Sequence, residues 1–154
     1  VAAIHGDQSS SEVQRTLPLL LKIAAKDERQ QSALDLLTQW DHRSALDSVA
    51  ASIYEAWIIQ LTRAMFEDDL RGDLYKEMAN RANPVFVLNI LEDPKTNGFW
   101  CDNVLTATPE SCEETLQAAL DLALDDLTER LGKDMAQWQW QKLHITQYPH
   151  RPFS

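Results

Sequence analysis

The sequence predicts a mainly α fold, an irregular bundle of about five to six helices. Three observations carry this expectation. Apolar residues recur at spacings of three and four along nearly the whole chain, the period of a helix with one buried face. Glycine and proline are scarce, 4 and 6 among 154 residues, whereas a turn-dense β-sandwich, a collagen-like repeat or a Gly-rich phosphate loop needs many positions of positive φ or close backbone approach. Helix start and stop residues also stand where the periodic stretches begin and end. The length suits one domain, residues 1–154 without an internal boundary or repeat, and 44% hydrophobic residues supply a core.

The elements follow in order. Ser9, Ser10 or Ser11 can cap a first helix carrying Val13, Leu17, Leu20, Leu21 and Ala24, and Pro18 inside it predicts a kink or a late start. Asp27 is an N-cap for a second helix with Ala33, Leu34, Leu37 and Trp40 on one face, and Asp41-His42-Arg43-Ser44 breaks the chain after it. From Ala45 to Phe66, the residues Leu46, Val49, Ala50, Ile53, Trp57, Leu61, Ala64 and Met65 form a broad stripe, widened by Ile58 and Ile59, so this helix packs on more than one side. Glu67-Asp68-Asp69 opposes the C-terminal dipole and places its end near Met65. A short helix is expected over Leu74 to Asn80, and Asn83-Pro84 starts another through Phe86, Val87, Ile90 and Leu91. Residues 85–91 also read as a strand, since a short apolar run fits either state. Asp93 to Gly98 has loop chemistry. Pro109-Glu110 opens a long helix lined by Leu116, Leu120, Ala123, Leu127 and Leu131 and stopped by Gly132. Trp138-Gln139-Trp140-Gln141 alternates bulky and polar residues, which suggests an extended segment or a short turn.

Charge narrows the partners. With 14 Lys and Arg against 24 Asp and Glu, the formal net charge is −10, which disfavours nucleic acid and anionic membranes, because both are held by clustered cations. The longest apolar run, Leu17 to Ala25, is broken by Pro18 and Lys22 and is far short of the roughly 20 residues that span a bilayer.

Residues able to do chemistry form no convincing constellation. His5, His42, His144 and His150 show no spacing that sets two ligands on one helix face. Asp41, His42 and Ser44 have the residue types of a triad, but triads are assembled from separate elements. The pairs Asp68-Asp69, Glu113-Glu114 and Asp125-Asp126 point about 100° apart on a helix and read as solvated faces. Trp138, Trp140, Tyr148 and Phe153 form a local aromatic set suited to core packing or to a ring-bearing ligand. Cys101 and Cys112 are the two cysteines. A bond between them would close the short loop of residues 102–111, and the alternative is one buried and one exposed free thiol. No catalytic, cofactor-binding or metal-ligating residue is assigned from this reading. Val1 in place of an initiator Met, and the Tyr148 to Ser154 end with its two prolines, suggest a processed or interrupted chain.

Several segments in order resemble the penicillin acylase (penicillin amidase) family of N-terminal nucleophile hydrolases, which includes acyl-homoserine lactone acylases. They are Gly6-Asp7-Gln8-Ser9-Ser10 through Leu17-Pro18-Leu19-Leu20; Leu36-Leu37-Thr38-Gln39-Trp40-Asp41; Ile53-Tyr54-Glu55-Ala56-Trp57; Trp100-Cys101-Asp102-Asn103 with Thr106 and Glu110-Ser111-Cys112; and Trp138-Gln139-Trp140-Gln141-Lys142-Leu143-His144 leading to His150 and Phe153. Gln141 departs from the glycine that family members often carry after Trp-x-Trp.

The resemblance implies a helical section of a larger αββα hydrolase, lying inside its β chain. Its nucleophile is a serine at the start of the β chain whose own α-amino group is the base. Residue 1 here is valine, and the serines at 9, 10 and 11 carry amide nitrogens, so no catalytic residue is carried over. The expectations are an inactive section of an amide hydrolase acting on penicillins or N-acyl-homoserine lactones, a small-molecule amide as the parent's substrate, and a periplasmic origin that suits a Cys101–Cys112 bond. Its partners would be the remainder of the parent chain or a second copy through exposed apolar faces. No cofactor is expected in the section, with calcium possible in the parent. The rival readings are a non-enzymatic helical interaction module and a small-ligand bundle using Trp57 or the Trp138/Trp140 set.

Overall fold

Helix forms wherever the three-and-four spacing is strong. The computed structural model describes residues 2–70, 72–80 and 84–147, and among them are eight α-helices, two short 3-10 helices and no strand. The helices are α1 (Ala2–Leu20), α2 (Glu28–Thr38), α3 (Val49–Phe66), α4 (Asp73–Asn80), α5 (Pro84–Glu92), α6 (Pro94–Asn97), α7 (Cys112–Leu131) and α8 (Trp140–Gln147). The mainly α expectation holds, and α6 and α8 raise the count above five to six.

α3 and α7 run against each other through the centre of the fold. α2 and α5 pack on α3, α1 lies on α5, and α8 closes the far end against both central helices. The broad stripe of α3 explains this arrangement: Ile53, Trp57, Leu61 and Met65 are each 0% exposed, as are Leu120, Leu124 and Leu127 facing them from α7. Burying a side chain of that size contributes about 1.5–3 kcal/mol, so this pair supplies much of the core. Trp57 also donates its indole N–H to the Leu116 carbonyl at 3.0 Å, so its polar edge is not stranded inside.

Local chemistry moves several boundaries. α1 runs through Ser9–Ser11 instead of starting there, since extending a formed helix adds one hydrogen bond for each residue fixed. Pro18 falls in its last turn, where the missing donor does least harm, and the helix ends with Leu21 N–H on the Leu17 carbonyl at 3.0 Å. Ala24 lies past that end and is exposed, and Ile23 is buried instead. Asp27 caps α2 as expected, accepting from Gln30 N–H at 2.8 Å. α3 begins at Val49 with Ser48 as cap, not at Ala45, and Leu46 is exposed. The Leu46 and Ser48 carbonyls instead accept from Gln141 and Trp140 N–H groups, at 2.8 and 3.1 Å.

Residues 85–91 are helix, not strand, with Pro84 at the first position of α5. The cap expected at Asn83 lies outside the described residues. Asp93 to Gly98 is not an open loop: Asp93 caps the single turn α6, which leads into a 3-10 helix over Gly98–Cys101. α7 starts after Ser111, not at Pro109, because Ser111 and Glu114 make a reciprocal capping box. Gly132, at φ 93°, ends it as expected. Trp140 opens α8, so Trp138 and Gln139 are the two-residue link between the 3-10 helix Met135–Gln137 and α8.

Candidate functional site

Among the described residues, those around Cys101 build the densest set of side-chain hydrogen bonds outside the helix packing. Cys101, at the end of the 3-10 helix, is bonded to Cys112, the first residue of α7, with Cα atoms 5.0 Å apart, so neither thiol is free. Inside the loop this bond closes, Glu110 accepts from Asn103 N–H at 2.9 Å and from the Thr106 hydroxyl at 2.7 Å. Asp102 accepts from Glu110 N–H at 3.0 Å. Asp68, beyond the end of α3, accepts from Val104 N–H at 2.8 Å, and the Thr115 hydroxyl donates to the Cys101 carbonyl at 2.6 Å. The backbone and hydroxyl donors hold the Glu110 carboxyl below its ordinary value. Asp69 moves the other way, raised by burial and then by the neighbouring Asp68 and Asp102 charges.

Beside this loop, α3 and α7 leave a groove of about 620 Å³ with Ala64, Ala118 and Leu122 among its apolar lining and six carboxylates around it. A smaller hollow of about 290 Å³ lies between Phe66, Leu70, Phe86 and Trp100. The Phe66 ring stands 6.3 Å from Phe86 and 5.1 Å from Trp100, with the Phe99 ring tilted 36° to Trp100 at 5.0 Å. Neither feature was foreseen. The groove joins helices that are far apart in sequence, and the only local signal for the hollow is the Phe99-Trp100 pair beside Cys101.

The other candidates take structural roles. Asp41 accepts from Arg43 N–H at 3.0 Å, while His42, at φ 64°, sets its ring edge-on to Trp40 at 5.7 Å. Asp41-His42-Ser44 is therefore a turn, with its carboxylate spent on backbone. Asp125 and Asp126 pair with Arg29 and Arg130 at 2.6 and 3.0 Å, and Glu114 belongs to the α7 cap. Trp138 is 1% exposed and donates to the Gly132 carbonyl at 2.8 Å. Trp57 and Trp138 are both sealed, so neither offers a face to a ligand, whereas Trp140, the third residue of the small-ligand reading, is half-buried. Val1, Tyr148, His150 and Phe153 lie outside the described residues, as do the side chains of His5, Ser9, Ser10 and His144. No group of three or more His, Cys, Asp or Glu side chains among the described residues could hold a metal ion, and none of their helices is long and apolar enough to cross a membrane.

The family model described as penicillin amidase matches residues 1–154. The chain is similar to the acyl-homoserine lactone acylase QuiP of Pseudomonas aeruginosa, 30% identical over 141 residues, which is 86% of this chain and 16% of that protein. It is also similar to the acyl-homoserine lactone acylase QuiP of Pseudomonas putida, 28% identical over 131 residues, 82% of this chain and again 16% of that protein. The chain thus spans 16% of the length of each of these curated relatives. No solved structure matches it.

Proposed function

Because the chain belongs to the penicillin amidase family, we propose that it is a helical section of an acylase-like amide hydrolase and contributes scaffold instead of reacting groups. The family match across residues 1–154 carries this reading. In the proposed parent, a serine at a chain N-terminus attacks the amide carbonyl, its α-amino group takes the proton, the amine leaves, and water releases the acyl group. Among the groups able to react by type, Asp41 of the Asp41-His42-Ser44 turn and Glu114, Asp121, Asp125 and Asp126 of α7 are engaged in turns, caps, hydrogen bonds and ion pairs. A disulfide at Cys101–Cys112 suits an oxidising compartment, and we assign the parent to the periplasm. Any calcium belongs to the remainder of the parent.

The test is an amide-hydrolysis assay on the full-length protein and on residues 1–154 alone, with N-acyl-homoserine lactones and a chromogenic penicillin-type amide. Hydrolysis by the full protein and none by residues 1–154 is expected. Turnover by residues 1–154, or a full-length protein inert on every acyl amide, overturns the proposal.

A further inference from the structure

We propose that the groove between α3 and α7 docks a cationic segment with an apolar face, supplied by the same parent polypeptide from outside residues 1–154. This rests on the reading of the chain as one section of a larger hydrolase.

Shape comes first. Glu114, Ala118, Leu122, Asp126 and Glu129 recur at spacings of four, four, four and three, so they form one line along α7. The fifteen residue steps from Glu114 to Glu129 make that line roughly 22 Å long, enough to receive about four turns of helix or about six residues of extended chain. Its middle is apolar: Leu122 is 52% exposed between Ala118 and Ala64, whereas its helix neighbours Leu120 and Leu124 are wholly buried. An exposed leucine flanked by small residues is a seat for an incoming side chain.

Charge then selects the occupant. Glu67, Glu110, Glu114, Asp125, Asp126 and Glu129 line the groove, with Arg63 as its lining cation. Arginines answer three of these carboxylates: Arg63 pairs with Glu67, Arg29 with Asp125 and Arg130 with Asp126. Glu110 accepts from the Asn103 amide and the Thr106 hydroxyl, and Glu114 from the Ser111 amide and hydroxyl, neutral donors that leave both charges standing. The groove is therefore net negative after its internal pairing, and a segment bearing Lys or Arg beside its apolar residues is complementary. A second copy of this chain is a poor occupant, since it brings another net −10 and several of its arginines are already paired. The relatives hold ample chain to supply the segment, because this section corresponds to 16% of their length.

The experiment places a photo-crosslinking amino acid at Leu122 of the full-length protein, with Ser32 on the exposed side of α2 as control. Crosslinked peptides are mapped by mass spectrometry in a mixture of isotopically light and heavy protein. The expected result is a crosslink from position 122, absent from position 32, to one Lys- or Arg-bearing segment of the same molecule. Glu129→Lys should lower its yield by roughly twofold or more, as loss of an exposed ion pair does. A light–heavy crosslink, a crosslink to another protein, attachment to a segment without basic residues, or no crosslink overturns the proposal. Amide hydrolysis by the same preparation is scored separately. An active enzyme without the crosslink ends the docking proposal alone, and an inactive protein with it ends the functional reading alone.

Discussion

Gln30 and Asp121 join α2 to α7 through a polar pair set into the core edge. Gln30 is 0% exposed and fully used: its amide donates to Asp121 at 2.8 Å and to the Gln117 carbonyl at 3.2 Å, and its carbonyl accepts from Lys26 N–H at 2.9 Å. Such satisfied networks select one packing, because every alternative strands a buried polar group. Burial alone would raise the Asp121 carboxyl, but bonds from Lys26 and Gln30, with the Lys26 and Arg29 charges, outweigh it and hold the carboxyl below its ordinary 3.8. A depressed folded value means the unfolded chain binds the proton more readily. The stabilisation is therefore complete above about pH 4 and is lost as pH falls through the folded value. Asp121→Asn should be less stable than the native chain at pH 7 and flatten the stability curve below pH 4, which chemical denaturation at a series of pH values will read. An unchanged acid limb would show that other carboxylates govern it. Trp57 gives a second residue-scale prediction. Trp57→Phe removes the donor to Leu116 and leaves a small void, so the loss should be about 1–3 kcal/mol at unchanged denaturant slope.

At the scale of elements, the Cys101–Cys112 bond fixes the 3-10 helix to the first residue of α7 across 11 residues of sequence. On the chain-entropy account a loop of this size contributes about 3 kcal/mol. The Asp68 to Val104 bond and the Glu110 bonds add local order that depends on the loop staying closed. Cys101→Ser with Cys112→Ser should lower stability by about 2–3 kcal/mol. Hydrogen exchange should quicken first at the Asn103 and Val104 amides while α3 amides stay protected; equal acceleration across α3 would contradict this local role. The same region shows what could be read from sequence. The bond was available from two cysteines around a turn-like stretch, and the Ser111-x-x-Glu114 spacing signals the α7 start, though Pro109 competed with it. The start of α3 was not legible, because the carbonyls of Leu46 and Ser48 are taken by Gln141 and Trp140, over ninety residues away. The groove was hidden for the same reason: each wall is an ordinary amphipathic helix, and only their antiparallel meeting makes it.

At the scale of the whole molecule, a well-filled core coexists with apolar side chains left in water. Phe86, Phe99, Val104, Leu105 and Leu122 are 46%, 61%, 55%, 74% and 52% exposed. Single exposed leucines are ordinary, but Phe86 and Phe99 belong to one aromatic set around Trp100, and patches of that kind mark surfaces that bind something. Read with the proposed parent, they are faces that the rest of the polypeptide covers. Residues 1–154 studied alone must then expose them, pair them with another copy or rearrange to hide them. The net charge of −10 opposes pairing by long-range repulsion, which salt screens over about 10 Å at 0.1 M. The isolated chain should therefore bind a hydrophobic dye at low salt. It should associate as salt rises, with sedimentation velocity showing growth of a heavier species. Phe86→Ser with Phe99→Ser should weaken both signals without unfolding the helices, since neither ring is part of the buried core. A monomer at every salt concentration that leaves the dye dark would mean that these faces need no cover, and would remove this support for a larger parent body.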